Sequence, residues 1–415
     1  MIQTGVRSPA FLRLQPLPTA RWVMIAAFLG ILVTPPLSNL FQLLLVVLFV
    51  VSGELRRRLA ASWRQPLVLG ALAFLLMVAV AAAYGTAPPR IGWPAVFTWR
   101  KLLFIPLAMA LFDEPAAKRQ LALSLVAACV VLAIVSFAGF AVGWGYRADD
   151  FPGIVSRNHG TQGMVFAVAA FAAGVLGMQA NDRRWKIGLL AAAVLLALNV
   201  VIVGAARSGY LVLLACIAAN AFSQAWHSKR GVVGTLAITG AAVVATIAAL
   251  AASPQSRERI EQAVHETLNY KSSETLTSMG IRQIFWRNTA GIIAQRPVLG
   301  WGTGSFERVY SDVVKGRTGV AGTITVDPHN QFMKISAEQG LVGLAVFLGF
   351  LASATRQQAS APWRLLGLGA LLGWCGTSMA SSHFATFAEG TFIFMWIGAM
   401  LAAERQSIAL RPMPS

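Results

Sequence analysis

The chain has 415 residues, of which 56% are hydrophobic and only 12% are charged, and its mean hydropathy is +0.64. Soluble domains carry roughly 25% charged residues, so this composition excludes an ordinary soluble protein and predicts an all-α polytopic integral membrane protein. The net charge of +18 does not indicate nucleic acid as a partner, because the basic residues are dispersed among the connections and form no continuous stripe.

Apolar segments close to the length that crosses a bilayer recur along the whole chain. Twelve of them are predicted to span the membrane: 20–34, 38–53, 67–84, 95–112, 120–143, 158–179, 186–203, 207–226, 231–252, 330–354, 364–382 and 386–403. The first segment leads into Pro35 and Pro36 without a signal-peptidase-like site. We therefore interpret it as a retained helix rather than a cleaved signal peptide.

The basic residues in the short connections predict the orientation of these helices. If the N-terminus is cytoplasmic, every cytoplasmic connection is basic: Arg56, Arg57, Arg58 and Arg64; Lys118 and Arg119; Arg183, Arg184 and Lys186; Lys229 and Arg230; Arg356 and Arg364. This alternation satisfies the positive-inside rule and would fail with an odd number of helices. Both termini are therefore expected in the cytoplasm.

One long hydrophilic stretch divides the chain into three parts. Residues 1–252 are predicted to hold helices one to nine, residues 253–329 a large extracytoplasmic loop, and residues 330–415 helices ten to twelve and a cytoplasmic tail. Within the loop, Ser256 to Leu268 and Met279 to Ala294 have apolar residues at helical spacing. These patterns predict amphipathic helices that lie on the bilayer or cover a cavity.

A minority of the basic residues falls on the outer side, where the topology rule disfavours them. These residues are Arg90, Arg100, Lys101, Arg147, Arg157 and Arg207. A cation in this position is explained by a bound anion, and a lipid-linked phosphate is the anion most available at that surface. Arginine suits phosphate oxygens because its guanidinium is a planar fork of donors.

The local sequence separates these candidates. Arg207 begins a spanning helix with no acidic residue nearby, and Arg157 precedes another helix start; free N–H groups and the helix dipole favour anions at such ends. For Arg147, the sequence favours phosphate binding and ion pairing with the neighbouring aspartates about equally. Arg90 and Lys101 are expected to reach lipid headgroups or pair with a local aspartate instead.

A second group of candidates lies late in the outer loop. Arg282 and Trp286 are one helical turn apart, Arg287 is adjacent, and His329 stands where the chain re-enters the membrane. A neutral imidazole at this place is suited to take a proton from a hydroxyl, although a structural histidine is also compatible with the composition. The other histidines rank below it: His159, His227, His265 and His383.

Three short motifs carry a family resemblance: R-x-x-x-W at 282–286, P-x-x-G-x-G-x-G-x-F at 297–306, and H-N followed by E-x-G-x-x-G over 329–343. In this order and topological place they resemble the O-antigen ligase and polymerase superfamily, which also includes protein O-oligosaccharyltransferases. The twelve-helix layout with one large loop before helix ten agrees with that resemblance.

The resemblance implies a glycosyltransferase of the bacterial inner membrane, with its active site at the periplasmic face. The donor would be a glycan linked to undecaprenyl diphosphate, and the reaction would need no metal ion, nucleotide sugar or other cofactor. His329 would orient or deprotonate the acceptor hydroxyl. Arg207 and Arg282 would bind the diphosphate, with Arg157, Arg147 and Arg287 as weaker candidates, and direct displacement would invert the anomeric centre.

Within the superfamily we predict an O-antigen ligase, whose acceptor is a sugar of the lipid A–core in lipopolysaccharide biosynthesis. The alternatives are an O-antigen polymerase and a protein O-oligosaccharyltransferase, which differ in the acceptor. A competitor from another class is a transporter or flippase of lipid-linked glycans. It is disfavoured because the candidate residues cluster on one side and most helix interiors lack ionisable groups; Glu389, near the outer end of the last helix, is unassigned.

Overall fold

The computed structural model describes residues 15–146, 151–204, 206–228, 231–252, Glu261 and 278–405, and within these ranges the regular structure is helical, without β-strands. The helices are α1 (Pro16–Val33), α2 (Pro35–Val51), α3 (Gly53–Ser62), α4 (Pro66–Tyr84), α5 (Pro89–Thr98), α6 (Phe104–Leu111), α7 (Pro115–Ala141), α8 (His159–Gln179), α9 (Arg183–Ile202), α10 (Arg207–His227), α11 (Gly231–Ala252), α12 (Ser278–Gln295), α13 (Phe306–Val314), α14 (Gln331–Ser353), α15 (Trp363–Thr377) and α16 (Phe387–Met400). A 3-10 turn over Trp99–Leu103 joins α5 to α6.

Each of the twelve predicted segments overlaps a helix, although the helix within 364–382 ends at Thr377 and a 3-10 turn interrupts 95–112. Among the described residues, eight helical stretches are long and apolar enough to cross a bilayer, or nine if α2 and α3, which meet at a bend of 99°, form one span. The all-α polytopic class is thereby confirmed. The bend occurs at Ser52, whose hydroxyl accepts the Leu55 N–H at 3.4 Å and so caps α3.

Ion pairs hold the end of the bundle at which α1 and α7 begin. The Asp113 carboxylate forms ion pairs with the guanidinium groups of Arg58 and Arg405, with N···O distances of 3.0 and 2.9 Å. Arg21 pairs in the same way with the Glu114 carboxylate at 3.0 Å. These pairs join four separate stretches of chain. Arg58 belongs to the basic residues that the positive-inside rule assigns to the cytoplasm, and Arg21 and Arg405 lie near the two termini that are expected there, so this end corresponds to the predicted cytoplasmic side.

Helix α8 lies in the centre of the bundle and is almost entirely buried. It contacts α9 and α10 closely, and a Cβ on Gly209 of α10 would lie only 2.9 Å from the Gly163 Cα of α8. Small residues at such crossings let two helix backbones approach. The contact sets the first turns of α8 and α10 side by side.

Helix α14 is interrupted at Gly340, where φ is 68° and ψ is −171°. The backbone groups released by the interruption pair with the connection that follows α12. The Trp301 and Gly302 N–H groups donate to the Ala337 and Glu338 carbonyls at 2.9 and 2.7 Å, and the Leu341 N–H donates to the Pro297 carbonyl at 2.8 Å. A helix break within a membrane is tolerated when neighbouring protein supplies partners in this way.

The same glycine-rich connection also fastens to the end of α4. A Cβ on Gly302 would overlap the Gly85 Cα, the Thr303 hydroxyl donates to the Val78 carbonyl at 2.8 Å, and the Thr86 N–H donates to the Trp301 carbonyl at 2.9 Å. The glycines of the 297–306 motif thus permit backbone-to-backbone contact between α4 and the first half of α14.

Helices α15 and α16 have only 15 and 14 residues, which is about 22 and 21 Å at the usual rise of an α-helix. Both are shorter than the roughly 30 Å of a hydrocarbon core. The ion-paired end holds the last turn of α16, because the Lys118 ammonium donates to the Met400 carbonyl at 3.2 Å. The connection between the two helices, residues 378–386, lies at the end of this helix pair that is opposite the ion-paired end.

The outer loop is described in part. Helix α12 confirms the amphipathic helix predicted over Met279 to Ala294, and it packs with α13 through Phe285, Phe306 and Tyr310. The helix predicted over Ser256 to Leu268 lies outside the described residues except for Glu261. The division at residues 252 and 329 stays a prediction.

Replacing Gly340 by Ala should destabilise the fold, because the new methyl group would overlap the Val298 carbonyl oxygen and alanine is disfavoured at positive φ. We expect a loss of about 2 kcal/mol or more, measured by thermal or denaturant unfolding in detergent. Gly349→Ala in the same helix is the matched control, since a Cβ there meets nothing within 4 Å. An equal loss in both variants would contradict the importance of the break.

Candidate functional site

His329 lies directly before α14 with its backbone in the left-handed region, at a φ of 54°. This conformation is uncommon for a residue other than glycine. It is held by the Asp327 carboxylate, whose Oδ1 accepts the His329 N–H at 2.8 Å and the Ser382 hydroxyl at 2.7 Å. Asn330 caps α14 by accepting the Met333 N–H at 3.1 Å. Local backbone constraint of this kind is typical of functional positions.

The imidazole of His329 stacks on the Phe285 ring of α12, with centroids 6.0 Å apart and planes inclined by 18°. Burial lowers the pKa of His329 below its ordinary value, the Arg282 and Lys334 cations lower it further, and the Asp327 carboxylate acts in the opposite direction. The neutral imidazole, which is the form that accepts a proton, is therefore favoured near neutral pH.

A second histidine, His383, lies on the 378–386 connection between α15 and α16. Burial lowers its pKa, which the carboxylates of Glu389 and Asp327 oppose and the Arg282 cation reinforces. Its Nδ1 is buried without a hydrogen-bond partner among the residues that the structure describes. Because the charge of Arg282 acts on both His329 and His383, the three side chains lie near one another. We call this region the histidine end of the bundle.

Two buried charges lie beside the histidines. The Glu389 carboxylate, in the first turn of α16, accepts a hydrogen bond from the Thr161 hydroxyl of α8. The Lys101 ammonium donates to the carbonyls of Ala385 and Thr386 at 2.5 and 2.6 Å. Lys101 is only 4% exposed, so the expectation that it reaches lipid headgroups is wrong.

The arginines predicted to bind phosphate occupy different settings. The Arg157 guanidinium lies 5.6 Å from the centre of the Phe387 ring, and its Nη1 is buried without a hydrogen-bond partner in the described part of the chain. Arg207 is half-buried at the first position of α10, beside the start of α8. Arg287 is exposed on α12, and Arg147 lies outside the described residues.

The motif carboxylate Glu338 has a structural role. Its side chain accepts hydrogen bonds from the backbone N–H groups of Gly304 and Phe306, which are the free donors at the N-terminus of α13. A carboxylate is well suited to this position. The motif at 329–343 thus contacts the motif at 297–306 through both its backbone and the Glu338 side chain. These contacts place α13 next to the first half of α14.

Sequence analysis ranked His383 low and left Glu389 without a role. One sequence feature could have identified Glu389: an ionisable side chain in an apolar segment is energetically unfavourable unless it has a partner. The same argument applies to Lys101. Among the residues described, no group of three or more His, Cys, Asp or Glu side chains is placed to hold a metal ion. Independence of metal stays a prediction.

Comparison with known proteins gives two findings. The O-antigen ligase family model matches residues 191–348, a stretch that contains Arg207, Arg282 and His329, and it confirms the resemblance to the superfamily without choosing among its members. A Haemophilus influenzae protein described as uncharacterized is 23% identical over 256 residues, 60% of this chain. The chain spans about 62% of the length of that relative.

The charges around His329 predict opposite effects of two substitutions on its pKa. Asp327→Asn removes the charge that raises the pKa and should lower it further, whereas Arg282→Gln removes a charge that lowers it and should raise it. The titration of ¹³C-labelled imidazoles, followed by NMR in detergent and assigned with His329→Gln, measures both. Shifts in the same direction would contradict the described geometry.

Proposed function

We propose that the protein is a glycosyltransferase that moves a polymerised glycan from undecaprenyl diphosphate to a sugar of the lipid A–core, because residues 191–348 match the O-antigen ligase family model. The observation that carries the proposal is His329, a constrained imidazole whose pKa is lowered by burial and by neighbouring cations. A proton acceptor next to fixed positive charge is what the transfer of a glycan from a diphosphate requires.

In the proposed reaction the acceptor hydroxyl oxygen attacks the anomeric carbon of the donor glycan. The imidazole of His329 takes the hydroxyl proton as the new C–O bond forms. The bond between the anomeric carbon and the diphosphate oxygen breaks, and undecaprenyl diphosphate leaves with the electron pair. A single displacement of this kind inverts the anomeric centre.

The arginines stabilise the negative charge that develops on the leaving diphosphate. Arg282 supports this assignment best, because its charge already acts on His329. Arg157 has a buried donor nitrogen unpaired within the described residues, and Arg207 begins a helix next to the helix that Arg157 precedes. We assign Arg287 and Arg147 subsidiary roles in attracting the donor.

The distribution of buried charge favours an enzyme over a transporter. In the described part of the chain the buried aspartate, glutamate and lysine residues form two groups, Asp113 and Lys118 at the ion-paired end, and Lys101, Glu338 and Glu389 at the histidine end. A transport pathway would require polar contacts that continue between the two faces. The polymerase and protein-transferase alternatives use the same donor, so only the acceptor distinguishes them.

The test is transfer by the purified full-length protein in liposomes, with undecaprenyl-diphosphate-linked glycan and lipid A–core, EDTA present and no nucleotide. Glycan on lipid A–core supports the proposed ligase. Longer glycan that stays on the polyprenyl carrier assigns the protein as a polymerase instead. Transfer to neither acceptor by folded protein would overturn both the ligase and the polymerase; a protein acceptor added to the same assay then tests the protein transferase, and no transfer to it would overturn the enzyme proposal.

In this assay His329→Gln should reduce kcat by roughly 100- to 10,000-fold, because that is the usual contribution of a general base. Arg157→Gln and Arg207→Gln should raise the KM for the donor while acceptor KM changes little.

Two substitutions control for nonspecific effects. His227→Gln replaces an exposed histidine at the far end of α10, and Arg90→Gln replaces an exposed arginine in the first turn of α5. Both should retain wild-type kinetics. Normal turnover by His329→Gln would disprove its assignment as the base.

A further inference from the structure

A cavity of about 210 Å³ with a mixed polar and apolar lining lies between the 3-10 turn after α5, the glycine-rich connection and the first half of α14. Its polar lining comes from Thr98, Thr303, Glu307, Gln331, Lys334, Glu338 and Gln339. This volume suits a small ligand such as a saccharide unit rather than a long glycan. A small pocket with a few fixed polar groups is the usual form of a ligand site.

Gln331 provides the strongest sign that the cavity takes a ligand. The residue is 0% exposed, its Oε1 accepts the Ala385 N–H at 3.0 Å, and its backbone N–H donates to the Ser378 carbonyl at 2.9 Å. The Nε2 of the same side chain is buried without a hydrogen-bond partner among the described residues. A buried donor left unpaired is costly, so an amide fixed on one side and unpaired on the other calls for a polar partner.

The charges of the lining favour hydroxyl groups over a diphosphate. Lys334 lies on one wall, and among the described residues it donates one hydrogen bond, to the Val326 carbonyl at 3.2 Å, which leaves other ammonium hydrogens for a ligand. Glu307 lies on another wall and is exposed, while Glu338 is occupied with the N-terminus of α13. Two carboxylates would repel a polyanion, whereas a mixed set of donors and acceptors fits sugar hydroxyls.

The cavity adjoins the proposed base. Lys334 is close enough for its charge to act on His329, and Gln331 follows His329 by two residues. Phe306, which lines the cavity, packs on Tyr310, and Tyr310 packs on the Phe285 ring that His329 stacks against. These contacts place the cavity and His329 in the same part of the bundle, although His329 does not itself line the cavity.

We propose that this cavity is the subsite for the acceptor sugar, with Gln331 and Lys334 donating to its oxygens and Glu307 accepting from a hydroxyl. The proposal rests on the glycosyltransferase function. It assigns a binding site to the acceptor, which is the substrate that determines the reaction product. The diphosphate of the donor binds elsewhere, at the arginines.

Steady-state transfer by the full-length protein, with donor and acceptor concentrations varied separately, tests the subsite. Glu307→Gln and Lys334→Met should each raise the KM for lipid A–core by roughly 10- to 100-fold, the usual loss for a hydrogen bond to a charged group. Gln331→Glu keeps the oxygen that accepts the Ala385 N–H, loses the donor, and should act similarly. The donor KM should stay within about two-fold.

Arg308→Gln is the matched control, because Arg308 is exposed beside Glu307 on α13 and does not line the cavity. Unchanged acceptor KM in all three cavity variants, or a raised donor KM, would overturn the subsite. Absence of transfer by the wild type would overturn the proposed function instead. In that case, the binding of fluorescent lipid A–core to the His329→Ala variant is measured directly, with and without Lys334→Met. Weaker binding when Lys334→Met is present would still support the cavity, and unchanged binding would reject it.

Discussion

In a hydrocarbon environment each backbone N–H and carbonyl needs a partner within the protein, and this requirement explains the motif-bearing half of the molecule. Helix α14 is broken at Gly340, yet its released groups find partners in the 297–302 connection. The glycines are needed because the two backbones, and that of α4, approach too closely for a Cβ. The break therefore makes the outer connection part of the bundle rather than a separate covering element.

Hydrogen bonds within the protein also satisfy the buried charges at the histidine end. Lys101 donates to two carbonyls of the 378–386 connection, and Glu389 accepts a hydrogen bond from a hydroxyl of α8. Each buried ion thus joins helices that are distant in the sequence, which offsets part of the cost of its desolvation. His329 and His383 are placed by this framework, so their environment depends on four or more helices rather than on the residues next to them.

The helices were predictable because hydropathy describes each segment by itself. Helix α12 differs from its predicted bounds, 279–294, by one residue at each end. The interruption at Gly340 was not predictable, because its partners lie about 40 residues earlier in the chain. The role expected for Lys101 was wrong and Glu389 had no assigned role for the same reason. Their hydrogen-bond partners lie 284 and 228 residues away in the sequence, and a prediction made segment by segment does not include such distant partners. Arg147 falls outside the described residues.

The shortness of α15 and α16 has a consequence for any substrate with a lipid tail. Withdrawing such a molecule from the bilayer exposes its chain to water at about 0.8 kcal/mol for each methylene group. Helices of about 22 and 21 Å are roughly 8 Å shorter than a hydrocarbon core of about 30 Å, so the connection between them can meet a polar head below the level of the lipid headgroups. Under the proposed function, a lipid-linked substrate would then reach the protein without its tail being lifted out of the bilayer, and the transfer would avoid that extraction cost.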